Sequence, residues 1–215
     1  MNKLLAFLKL IFKPKRLYAL LSYNQKGYFN SVGWWNAFDK KAALGKNDEP
    51  IPWVTYSFID FIKPRLNKSH QIFEYGSGNS TLFYAQYVKQ VISVEHDLNW
   101  FNKIKDNKAN NAELYYEELI PNGNYSKKAN NMEAQFDIII VDGRDRVNCC
   151  KYAISALAAS GVIVLDDSER PEYQEGRSFL KENGFKELSF SGISPGLFYE
   201  KATSVFYKSN NCLDI

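Results

Sequence analysis

The segment Phe73-Glu74-Tyr75-Gly76-Ser77-Gly78-Asn79-Ser80-Thr81 constrains the fold more than any other stretch of this chain. A short apolar strand runs into a glycine turn, and the turn opens a helix. About one strand later, Val91-Ile92-Ser93-Val94-Glu95 ends in a carboxylate. Open α/β sheets build nucleoside crevices this way, at the C-terminal ends of their strands. Glycines at 76 and 78 let the backbone approach a ligand, and an acid at 95 accepts hydrogen bonds from ribose hydroxyls. The plainer alternatives are a tight strand–helix turn and a solvated strand-end charge.

From here the pattern alternates between two periods. Strands are expected at 71–75, 91–95, 113–117, 136–141, 161–165, 187–190 and 204–207, and helices at 79–88, 98–107, 146–159 and 172–183. The run Phe136-Asp137-Ile138-Ile139-Ile140-Val141 suits a central strand buried on both faces. The polar stretch 120–133, with Pro121 and Gly123, reads as a loop. The expected fold is α/β: a Rossmann-like, mainly parallel seven-stranded sheet flanked by helices, with the last strand antiparallel. Residues 1–68 form a helical, aromatic-rich extension ahead of a nucleotide-binding domain at 69–215.

Three nucleotide motifs compete for the glycine turn. A phosphate P-loop requires Lys after its last glycine, and Asn79 stands there. A dinucleotide turn wants a small residue where Thr81 stands, so an NAD-dependent oxidoreductase matches in part. A cationic adenosyl donor carries no pyrophosphate and favours an acid beside the turn, which Glu74 supplies.

At these residues the chain resembles the class I S-adenosylmethionine-dependent methyltransferases, over roughly 70–208. The resemblance implies S-adenosyl-L-methionine as cofactor. Glu74, Tyr75, Gly76, Ser77, Gly78 and Ser80 would hold its methionine part, with Asp142 also facing it. Glu95 would bind the ribose, Glu117 or Glu118 would lie near the adenine, and His96 would touch the adenine or serve structurally.

A second constellation is acidic. Asp142 ends one buried strand, and Asp166 and Asp167 end the next. Converging carboxylates repel one another unless a cation intervenes. Arg144, Arg146 and Arg170 flank them, and Mg²⁺ or another divalent cation is the other solution. Asp142 and the Asp166-Asp167 pair resemble the metal site of catechol-type O-methyltransferases, although Asp167 replaces an Asn and that family's catalytic lysine has no clear equivalent. A salt-bridged cluster is the competing reading. Asp142 is the first choice of base and Asp167 the second.

The net charge of +3 gives no reason to expect nucleic acid as a partner. Cys149, Cys150 and Cys212 lack a disulfide or zinc spacing, which suits a reducing, cytoplasmic setting. Residues 1–16 form a basic, apolar stretch that could lie on the inner face of a membrane, and a non-catalytic nucleoside-binding module docked through it is a further alternative. With Trp34, Trp35 and Trp53 available for stacking, the expected activity is O-methylation of a small polar molecule or sugar hydroxyl. The extension and the 120–133 stretch are expected to close over that substrate.

Overall fold

The computed structural model describes residues 10–215. Seven strands form one sheet: β1 (Gln71–Tyr75), β2 (Gln90–Glu95), β3 (Ala112–Tyr116), β4 (Phe136–Val141), β5 (Leu157–Asp166), β6 (Lys186–Gly192) and β7 (Lys201–Tyr207). Their spatial order is β3-β2-β1-β4-β5-β7-β6. Strands β1 to β5 run parallel, and β7 lies antiparallel to both β5 and β6. The chain winds outward from β1 to β3, then crosses back to lay β4 on the other side of β1. That reversal opens a crevice beyond the C-terminal ends of β1 and β4.

Alternation along the strands gives the sheet two apolar faces. Ile72, Val91, Ile138, Ile140, Val162, Val164 and Val205 lie in one core, and Phe73, Tyr75, Ile139, Val141, Ile163, Leu165 and Phe206 in the other. The second core is closed by helices Arg146–Ala156 and Gln174–Glu182, through residues such as Cys149, Cys150 and Leu180. Both cysteines pack there as free, buried thiols.

The first core is closed by helix Asn79–Ala85 and by the segment that precedes the sheet. Trp34, Val54, Tyr56, Phe58 and Ile62 are buried in the same cluster as the strand residues. Residues from Trp34 onward therefore complete one face of the sheet. The Trp34 indole also donates to the Leu197 carbonyl at 3.1 Å, fixing this segment to the β6–β7 connection.

Several element boundaries shift by a few residues, and two differences from expectation have identifiable reasons. β5 begins at Leu157, because Leu157 pairs with Phe136 ahead of a register shift, and the helix before it stops at Ala156. Residues 120–133 are a short helix, Asn124–Lys127, followed by a 3₁₀ turn, Lys128–Met132. Tyr125 and Ala129, four residues apart, bury one side of it in the second core. Among the described residues, no helix is long and apolar enough to cross a membrane.

Replacing Trp34 by Ala empties a fully buried site and removes its hydrogen bond. The expected loss is about 3–5 kcal/mol in urea unfolding, with a single transition because this segment shares the sheet's core.

Candidate active site

The glycine turn after β1 borders a cavity of about 650 Å³ lined by residues from the ends of β1, β2 and β4. Gly76 has φ +98°, and a Cβ there would meet the Asp142–Gly143 backbone at 3.4 Å, so a bare backbone fits the turn. Gly143 is tighter still: a Cβ would stand 1.9 Å from the Tyr125 hydroxyl. Trp100, from helix Leu98–Ile104, donates its indole N–H to the Ser77 carbonyl at 2.9 Å and braces the turn from the other side.

Glu74 forms part of the cavity wall although its residue is only 1% exposed. Thr81 and Ser93 donate hydroxyl hydrogen bonds to its Oε2 at 2.6 and 3.1 Å. Thr81 also accepts the Gly78 N–H at 3.1 Å, so the residue that spoils the dinucleotide pattern links the turn to the acid. Burial pushes the Glu74 carboxyl up to about 7, against those hydrogen bonds and with help from the nearby Glu95 charge.

Glu95 is held at both oxygens. Its Oε1 accepts the His96 and Asp97 backbone N–H groups at 2.8 and 2.9 Å, and its Oε2 accepts the Ser77 hydroxyl at 2.8 Å. The two backbone donors fix the carboxylate's direction, while the Ser77 hydroxyl can rotate away for a ligand hydroxyl. His96 lines the cavity edge-on to Tyr125, with ring centroids 5.8 Å apart.

Glu74, Gly76, Ser77, Gly78, Ser80, Glu95, His96 and Asp142 thus share one cavity. Tyr75 does not. Strand alternation sends its ring to the opposite face, where its hydroxyl donates to the Ser126 carbonyl at 2.8 Å. Trp34 and Trp35 belong to the core and its margin, and of the three tryptophans only Trp53 lines the cavity. Glu117 pairs with Lys128 at 2.8 Å, outside the lining. The 120–133 stretch lies beneath Gly143 and contributes no lining residue. Lys41, Ala43, Ile51 and Trp53 do line it, so the segment before the sheet forms one wall.

The acidic cluster is neutralised from within. Arg146 reaches Asp142 at 3.0 Å and Asp167 at 3.3 Å. Lys201, at the start of β7, reaches Asp166 at 2.6 Å and Asp167 at 3.0 Å, and donates to the Trp53 carbonyl at 3.1 Å. Thr203 donates to the second oxygen of Asp166 at 2.7 Å, and Arg170 reaches Asp167 at 3.0 Å. Three carboxylates therefore face three cations. The attraction of the acids outweighs burial and raises the pKa of both Arg146 and Lys201. Burial opposes ionisation of Asp167, but Lys201 and Arg146 prevail and lower its pKa.

These contacts give no support to a divalent site at Asp142, Asp166 and Asp167. Among the described residues, no group of three or more His, Cys, Asp or Glu side chains could hold a metal ion. An ammonium and a guanidinium occupy the oxygens that a cation would need. Asp166 and Asp167 also lie outside the cavity lining, which leaves Asp142 as the acid of this cluster that faces it. Burial and the neighbouring Asp166 charge raise the Asp142 pKa well above the usual range, against Arg146 and Lys201. Arg146 and Arg170 take the neutralising role that their flanking positions suggest, whereas Lys201 lay beyond sequence reasoning because it is distant in the chain from the acids it meets.

Three outcomes follow. The folded pKa of Glu74 lies near 7 against an ordinary 4.5, so folding favours its protonated form. Its cost to stability is absent below pH 4.5, grows as pH rises, and is complete above pH 7, at up to about 3 kcal/mol. Glu74→Gln is therefore expected to raise the melting midpoint at pH 8 and leave it nearly unchanged at pH 4.5. Lys201→Met leaves two buried carboxylates without their main partner, with an expected loss of about 3–5 kcal/mol in urea unfolding. Millimolar Mg²⁺ is not expected to shift the wild-type melting midpoint.

No protein-family model and no curated protein matches the chain. Several solved structures do. A methyltransferase-like protein from Silicibacter pomeroyi is 21% identical, covering 74% of this chain and 89% of its own, with TM-score 0.54. A precorrin-6y C5,15-methyltransferase from Geobacter metallireducens is 17% identical, covering 80% and 96%, with TM-score 0.54. A methyltransferase from Pyrococcus furiosus is 17% identical, covering 71% and 81%, with TM-score 0.51. With its strand order and antiparallel β7, the chain has the Rossmann-like fold of the class I S-adenosylmethionine-dependent methyltransferases.

Proposed function

We propose that this protein transfers a methyl group from S-adenosylmethionine to a hydroxyl of a small polar acceptor. The observation that carries this reading is the meeting of Glu74, the Gly76–Gly78 turn and Glu95 in one cavity at the sheet's switch point. Glu95 would accept the ribose hydroxyls with the Oε2 that now accepts from Ser77. Glu74 would face the ammonium end of the donor, whose positive charge favours the carboxylate form.

The sulfonium donor is already activated, so the protein's main task is to align donor and acceptor in line. Asp142 is the candidate base. Burial and the Asp166 charge raise its pKa, which favours it as a proton acceptor, and a positively charged donor would oppose that shift. Arg146, at 3.0 Å, keeps the carboxyl oriented. An alcohol acceptor would pass its proton to Asp142 as the C–O bond forms and the sulfonium becomes a neutral thioether. Trp53 offers an aromatic face on the opposite wall, suited to a sugar ring.

Isothermal calorimetry with S-adenosylhomocysteine tests the donor site. Micromolar binding is expected, with Glu95→Ala at least about tenfold weaker because the ribose loses its acceptor. NADH is not expected to compete. Absence of homocysteine-nucleoside binding at high micromolar ligand, or tighter binding of NADH, removes the proposal.

A further inference from the structure

The chain's charge is divided unevenly. Lys3, Lys9, Lys13, Lys15, Arg16 and Lys26 precede the first acidic residue, Asp39. The whole chain carries +3, so everything after these six cations is net −3. Within the same stretch the described residues expose large apolar side chains. Phe12 is 84% exposed, Tyr18 68% and Leu21 65%. Helix Pro14–Ser22 buries none of its residues. Leu17, Tyr18 and Leu21 share one side of it, with Lys15 and Arg16 off that side. The first nine residues of the basic stretch lie outside the described residues.

A series of packed rings runs from this helix into the body of the protein through the buried Trp34. The Trp35 indole donates to the Tyr23 carbonyl at 2.9 Å, just past the helix. Tyr23 meets Phe29, Phe29 meets Trp34, and Trp34 meets Phe38 and Phe198, with ring centroids 4.4 to 5.8 Å apart. Phe38, Phe198 and Tyr199 are themselves exposed. Exposed Asp39 and Glu200 stand beside the Phe38–Phe198 rings. Along Phe12–Lys26, by contrast, exposed rings and leucines alternate with cations and no acid intervenes, which complements a surface that is apolar below and negative above. An anionic bilayer has that character: the aliphatic and aromatic groups enter the acyl boundary, and the cations meet headgroup phosphates.

We propose that the protein docks on anionic membrane surfaces through Phe12, helix Pro14–Ser22 and the cations that flank it. This inference does not depend on the reaction at the cavity. The test is sedimentation of the full-length protein with phosphatidylcholine vesicles, with and without about one third phosphatidylglycerol. Binding is expected to the anionic vesicles, and about tenfold or more weaker to the neutral ones. Lys13→Gln, Lys15→Gln and Arg16→Gln combined should weaken it roughly a hundredfold, at about fivefold per cation. Phe12→Glu with Leu21→Glu should abolish it. These side chains are exposed, so both variants should melt as the wild type does.

The proposal is overturned by absence of binding to either vesicle, by equal binding to both, or by unchanged binding of both variants. It is equally overturned if the wild type self-associates without lipid and Phe12→Glu with Leu21→Glu restores a monomer, or if single-stranded RNA binds and anionic vesicles do not.

Discussion

Lys201 holds together parts of the molecule that are far apart in the chain. Its ammonium sits between the acids that end β5 and the backbone of Trp53, which belongs to the segment before the sheet. Arg146 closes the other side of the same acids and reaches back to Asp142 at the end of β4. A buried network of this kind gains little over an apolar core, because each charge must first leave water. What it does supply is register. The ends of β4, β5 and β7 and one wall of the cavity can meet in one arrangement only, since any other strands a charge.

This arrangement also separates the protein from the catechol-type pattern that its acids resemble. The positions Asp142, Asp166 and Asp167 match, yet their oxygens are committed to side-chain cations. The acid left facing the cavity is Asp142, and its proton affinity is set by burial, Asp166 and Arg146. A site organised in this way responds to the charge of what enters it, and a cationic ligand would change the balance that Asp142 feels.

The glycine turn, the succession of strands and helices along the chain, and Glu95 at a strand end were legible because they are local or periodic. A strand, a turn and a helix follow one another within a few residues, and burial on both faces leaves an unbroken apolar run at β4. Tyr75 could have been read correctly from the same evidence: Glu74 faces the cavity, so its neighbour on a strand must face away. Lys201 was not legible in its role. Its meeting with Asp166 and with the Trp53 carbonyl depends on β7 folding back antiparallel between β5 and β6, and pairing across such a distance leaves no mark in local sequence. The 120–133 stretch misled for a different reason. Its composition is that of a loop, and two residues, Tyr125 and Ala129, are enough to anchor it.

The close fit of Tyr125 beneath Gly143 restricts how this lineage can diverge. A phenol oxygen occupies the space that any larger residue at 143 would need. A side chain at 143 would require the Tyr125 hydroxyl to shift or be lost, and a shift of that ring would move the edge that His96 packs against.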